Sequence, residues 1–154
     1  MVIDKRKIIV LISWAAVLIW MLLIFNLSSQ AASESDQLST GITEIIVKVI
    51  EKIIPKADFN IEDFNHIVRK NAHFIAYLVL GVLVINALKM SGIRGIRAFG
   101  LALGICMLYA VSDEIHQLFV PGRSGEIRDV MIDSSGAAVG IVGYMLTKMR
   151  VPWH

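Results

Sequence analysis

The stretch Ala98-Phe99-Gly100-Leu101-Ala102-Leu103-Gly104-Ile105-Cys106-Met107-Leu108-Tyr109-Ala110-Val111, followed at once by Ser112-Asp113-Glu114-Ile115-His116-Gln117, sets an uncharged run against a polar cluster. The apolar part has the length of a spanning helix only if Asp113 and His116 continue the helix into the headgroup layer. Acids and a histidine at the margin of a membrane are costly unless they are paired, hydrated or used. The cluster leads through Phe119-Val120-Pro121-Gly122-Arg123-Ser124-Gly125-Glu126-Ile127-Arg128 to Asp129, with Asp133 one helical turn later, and the chain then turns apolar again.

Working outward, three more apolar stretches appear: Ile8 to Phe25, Ala72 to Leu88, and Val130 to Thr147. The chain is 56% hydrophobic and only 18% charged, below the roughly 25% charge of a soluble domain. Its mean hydropathy is +0.67. We therefore expect an all-α integral membrane protein with four transmembrane helices, at about 8–25, 72–88, 98–116 and 129–147, in one domain over 1–154. A net charge of +2 carries no nucleic-acid signature. Cys106 is the single cysteine and has no internal disulfide partner.

Basic residues set the orientation. Lys5, Arg6, Lys7, Lys89, Arg94, Arg97, Lys148 and Arg150 all fall on one side of such a bundle, with Asp4 as that side's acid. The positive-inside rule makes that side, with both termini, cytoplasmic. Residues 26–71 and 112–129 then face outward. A cleaved signal peptide is the rival for the first segment, given Ser29-Gln30-Ala31 after it. Its apolar core is longer than the roughly 7–15 residues of a signal core, so retention as an anchor is expected.

The first outer loop repeats Leu38, Ile42, Ile45, Ile46, Val49, Ile50, Ile53 and Ile54 at steps of three and four, with Glu44, Lys48, Glu51 and Lys52 between them. That pattern predicts an outer amphipathic helix over about 37–54, closed by Pro55. It would lie in the membrane surface or cap the bundle. Asn60 is the expected N-cap of a helix that runs into the second span.

Topology then brings separated residues to one depth. Arg69, His73 and Tyr77 follow one another by single turns on the second helix. Ser112 and His116 share a face of the third, with Asp113 beside them, and Asp129 and Asp133 share a face of the fourth. The second helix starts outside, the third ends outside and the fourth starts outside, so all three polar faces meet near the outer headgroups. Pro121-Gly122 supplies a turn that can bring Arg123 and Arg128 over the bundle, each a fork of donors for phosphate or carboxylate. Gly136 and Gly140 make a small-xxx-small face that admits another helix, including that of a second copy in a homo-oligomer.

Three segments together resemble the VanZ-like membrane family: Arg69-Lys70-Asn71-Ala72-His73-Phe74-Ile75-Ala76-Tyr77-Leu78 with Gly81; Asp113 through Arg123; and Arg128-Asp129-Val130-Met131-Ile132-Asp133-Ser134-Ser135-Gly136. Phe25 and Ser28-Ser29-Gln30 also match. The resemblance implies a link to resistance against the glycopeptide teicoplanin and leaves the chemistry open.

One chemistry for the cluster is an enzyme acting on a lipid or lipid-linked headgroup. His73 and His116 would serve as base and acid, with Asp113 or Asp133 orienting an imidazole. Arg69, Arg123 and Arg128 would hold phosphate oxygens, with Tyr77, Glu114, Gln117 and Asp129 completing the substrate-binding candidates. No serine, among them Ser112, Ser124 and Ser134, sits in a nucleophile motif. The Arg-Pro, Ser-Gly-His and Arg-x5-His-x3-Asp pattern of membrane phosphatidate phosphatases is absent. His73, His116, Asp113, Glu114, Asp129 and Asp133 also include enough ligands for a divalent ion, though no local spacing such as HExxH marks one. The alternative is a non-catalytic protein that binds or shields a lipid-linked cell-wall precursor, or alters access of an antibiotic whose fatty chain anchors in the membrane. This rests on family analogy. The bland reading is packing: His–Asp and Asp–Arg pairs between helices are worth about 0.6 kcal/mol each, and Glu114 and Glu126 would be solvated rim charges. Transport is weaker still, because no inverted repeat or paired broken helices are evident.

The orientation is checked with single cysteines in a Cys106→Ala background. Gly122→Cys is expected to react with an impermeant thiol reagent on intact cells, and Ser91→Cys to be protected. The reverse pattern contradicts the orientation.

Overall fold

The computed structural model describes residues 4–30, 40–41, 61–123 and 125–149. Among them the chain forms four long helices and no strand: α1 (Lys5–Ser28), α2 (Ile61–Met90), α3 (Gly95–Gln117) and α4 (Ile127–Met149). Each carries a segment long and apolar enough to cross a membrane: Lys5–Ser28, Lys70–Met90, Gly95–Gln117 and Ile127–Thr147. The all-α, four-span expectation is thus borne out. The amphipathic helix over about 37–54 and the Asn60 cap lie outside the described residues, apart from helical Thr40 and Gly41.

Leu11, Ile19, Ile96 and Leu108 are among many large apolar side chains left exposed along the helices. Apolar surface on this scale is untenable in water and suits a lipid solvent. α1 starts at Asp4, whose carboxylate accepts the Arg6 backbone N–H at 3.1 Å, an N-cap. α2 ends at Met90, and Gly92 just beyond it sits in the left-handed region at φ 93. There the Gly92 N–H reaches Lys89 O and the Ile93 N–H reaches Leu88 O, both at 3.0 Å. These two bonds satisfy carbonyls left over at the helix end and turn the chain sharply into α3.

Cross-bundle contacts give each helix its direction. Near the α2–α3 turn, Trp14 Nε1 donates to Ser91 Oγ at 3.1 Å and Lys89 Nζ sits 4.8 Å from the centre of the Tyr144 ring. At the opposite end, Ser28 of α1 meets Asp113 of α3. The helices therefore run up, down, up, down. The start of α1 and the end of α4 lie with the α2–α3 turn. The end of α1, the Lys70–His73 part of α2, the end of α3 and the start of α4 gather at the other end. Between the two ends, Trp20 Nε1 donates to Ala76 O at 2.9 Å, Tyr109 OH to Met21 O at 2.6 Å, and Tyr144 OH to Asn86 Oδ1 at 2.7 Å. Polar atoms inside the bilayer find partners within the bundle because no water is there to serve them.

The tightest contact is between the parallel helices α2 and α4. A Cβ on Gly136 would fall onto the carbonyl oxygen of Phe74, and one on Gly140 onto that of Leu78. A Cβ on Gly81 would likewise meet the Ala137 carbonyl. The small-residue face of α4 thus lies against α2 of the same chain and is not open to a second copy. Leu80, Val84, Ala137 and Ile141, all fully buried, extend this seam toward the α2–α3 turn.

Glycine packing makes a sharp prediction. Gly136→Ala and Gly140→Ala are each expected to destabilise the bundle by about 1–3 kcal/mol, as overpacking does. Gly143→Ala meets nothing within 4 Å and is expected to leave stability unchanged or slightly raised, alanine being the better helix former. Unfolding in mixed micelles followed by circular dichroism distinguishes them. Equal behaviour of the three variants contradicts the packing.

Candidate functional site

The seam between α2 and α4 positions the first pair of polar groups. His73 lies one turn before Tyr77 on α2, and Asp133 lies three residues before Gly136 on α4. With the backbones in contact, His73 Nδ1 is 3.7 Å from Asp133 Oδ2. That exceeds a hydrogen bond, and neither oxygen of the fully buried Asp133 has a hydrogen-bond partner.

α3 brings the third group. Asp113 is 2% exposed. Its Oδ2 accepts from Ser28 Oγ at 2.8 Å and from Gln117 Nε2 at 3.3 Å. Its Oδ1 is buried without a partner. One ligand atom each from His73, Asp113 and Asp133 lie within 4.8 Å of one another. Tyr77, fully buried one turn deeper on α2, has a hydroxyl without a hydrogen-bond partner. Two carboxylates and one imidazole from three helices thus converge, with Ser28 of α1 bonded to Asp113.

A second layer surrounds this centre. Gln117 joins α3 to the loop: its Nε2 also reaches Glu114 Oε1 at 3.4 Å, and its Oε1 accepts from Arg123 Nη1 at 3.3 Å. Arg123 returns toward the centre because Pro121 and Gly122 form a turn closed by the Arg123 N–H on Val120 O at 3.1 Å, with Gly122 at φ 77. Glycine at that place is what a type II turn requires.

Glu114 corrects an expectation. It is not a solvated rim charge: it is 6% exposed, and its Oε2 accepts the Glu126 backbone N–H at 2.8 Å. This bond holds the α3–α4 loop down over the end of α3, where a Cβ on Gly125 would press against Leu118 and the Glu114 carbonyl. Glu126 itself is 46% exposed, as a rim charge would be. Its carboxylate and that of Asp129 approach Lys70 Nζ at 3.7 and 3.1 Å.

The remaining candidates stand further out. His116 is half-buried. Its Nε2 is 3.1 Å from Ser29 Oγ, and its ring lies 4.4 Å from that of Phe25. It therefore contacts α1 and is not one of the three converging groups. Asp129 shares a face with Asp133 but pairs with Lys70. Arg128 is exposed on the first turn of α4. Ser112 is exposed and bonded to Tyr109 O at 2.8 Å. Ser134 is half-buried, with no hydrogen-bond partner for its hydroxyl. Arg69 lies on α2 with its side chain outside the described residues, as is Ser124.

Two contributors escape a reading of polar faces. Lys70, three residues before His73 on α2, is passed over by the four-residue steps that join Arg69, His73 and Tyr77. Ser28 ends an uncharged span and is fully buried. The Ser28-Ser29-Gln30 run after an apolar segment is the signal that points to it.

The model of the family described as VanZ/LLP1 matches residues 13–148. The match takes in most of the first span, the other three spans and every residue of the centre. No curated protein and no solved structure gives a match.

Proposed function

The chain belongs to the VanZ/LLP1 family, and from that premise we propose that it works on a lipid or lipid-linked substrate of the bacterial cell envelope. It is a multi-pass membrane protein, and the family name ties it to antibiotic resistance. In this reading both termini are cytoplasmic and the polar centre opens to the outer leaflet, which the distribution of basic residues supports.

The observation that carries the reading is the convergence of His73, Asp113 and Asp133, with buried carboxylate oxygens left without hydrogen bonds. Packing alone gains nothing from such atoms, since an unsatisfied buried polar group is a cost. A site that receives a substrate group, a proton or an ion gains a great deal. With Asp133 facing Nδ1 of His73, Nε2 of the same ring is the atom available for proton transfer to a reacting headgroup. Arg123, Arg128 and Lys70 around the rim suit an anionic headgroup. His116, against α1, would handle a second proton at the edge of the site.

The test compares envelope lipids and lipid-linked precursors by mass spectrometry in cells with wild type, His73→Ala, Asp133→Asn, or no copy, at matched membrane abundance. A species that changes with wild type and returns to the no-copy level in both variants is expected. No changed species, with a resistance phenotype still dependent on His73, contradicts catalysis and favours the non-catalytic binding of a precursor. Phenotype lost only in step with abundance contradicts both.

A further inference from the structure

We propose that His73, Asp113 and Asp133 bind one divalent transition-metal ion, with Zn²⁺ or Mn²⁺ as the class that suits one imidazole and two carboxylates. This rests on the centre described under the proposed function, though not on its catalysis.

Four observations point to an ion. First, the 3.7 Å gap between His73 Nδ1 and Asp133 Oδ2 is too long for a hydrogen bond and close to the ~3.4 Å between two ligands at about 2.1 Å on a tetrahedral ion. Second, Asp113 and Asp133 bring two carboxylates together with one imidazole at a buried position, and like charges held close in such a medium are costly unless a cation lies among them. Third, the free atoms are the ones a ligand set needs. Both Asp133 oxygens and Asp113 Oδ1 are buried and without hydrogen bonds. Fourth, Asp113 is held from behind. Ser28 and Gln117 donate to its Oδ2, which leaves the buried Oδ1 without a partner. Ligating carboxylates are oriented by outer hydrogen bonds in this manner.

Three protein ligands leave an ion with an open position, as in catalytic rather than structural sites. The Tyr77 hydroxyl, buried without a hydrogen-bond partner one turn below His73, is a donor that a water or substrate oxygen there could engage. Arg123, tied through Gln117 to Asp113, is placed on the loop side to meet an anionic headgroup that takes the same position. An ion supplies a polarised phosphoryl oxygen or an acidified water. His73 then gives its lone pair to the ion, and the acid–base role passes to His116 or the bound water.

The test uses the full chain purified in detergent, stripped with chelator and titrated with Zn²⁺ and with Mn²⁺, with no lipid substrate present. Calorimetry and elemental analysis are expected to show one ion per chain. Asp113→Asn and Asp133→Asn are expected to weaken binding by at least roughly a hundredfold, and Ser28→Ala by about tenfold. His116→Ala is expected to leave it unchanged. Helicity by circular dichroism accompanies each variant. Where a variant loses helicity, pulsed EPR of Mn²⁺-loaded His116→Ala protein decides: coupling to one imidazole nitrogen supports the site, and oxygen-only ligation overturns it. Wild type that takes up no ion, or Asn variants that bind as tightly as wild type, also overturn it. The ion and the proposed function fail separately: an ion bound in vitro with no lipid change in cells leaves the site standing and removes the catalysis.

Discussion

Everything at the polar end depends on how closely α2 approaches α4. Gly81, Gly136 and Gly140 let the two backbones touch, so that carbonyl oxygens lie where a Cβ would otherwise be. In lipid there is no hydrophobic drive between helices, and close packing of small residues takes its place. The register of that contact sets His73 beside Asp133 and Lys70 beside Asp129. α3 then has only to deliver Asp113, which it does with Ser28 of α1 bonded to it. The site is thus a by-product of the seam: a larger residue at Gly140 would separate the pair without touching either member.

The bundle treats its two kinds of polar group differently. Trp20, Tyr109, Tyr144 and Ser28 each make a short hydrogen bond between helices, which is the ordinary solution for polar atoms in a bilayer. Asp133, Tyr77 and one oxygen of Asp113 do not. Buried carboxylate oxygens left open at Asp113 and Asp133 set stability aside where a ligand can restore it. The loop between α3 and α4 belongs to the same design. Glu114 and Gln117 hold it down through Glu126 and Arg123, which keeps a cation near the opening of the centre.

Much of this is legible in the sequence, for definite reasons. The spans are legible because apolar runs of bilayer length have few other uses. The meeting of three polar faces at one depth follows from alternation of direction alone, and it names His73, Asp113 and Asp133 without any contact being known. What alternation cannot supply is rotation about each helix axis. His116 has the same depth as His73 and the same chemistry, yet its helix turns it toward Ser29 and Phe25 of α1. Glu114 reads as a rim charge because its partner is a backbone N–H twelve residues on, and backbone donors leave no mark in a sequence. The glycine face of α4 is legible as a contact, but whether α2 or a second copy fills it is decided only by the fold.

The claim at the centre is that Asp133 is buried to do work and not to hold the bundle together. The most direct measurement is the unfolding free energy of Asp133→Asn against wild type, in detergent with chelator present. Removing a buried charge that lacks hydrogen bonds is expected to leave stability equal to or above that of wild type, while the phenotype in cells is lost. A loss of about 3–5 kcal/mol, the cost of breaking a buried ion pair, would make the His73–Asp133 contact a structural bridge and contradict the claim.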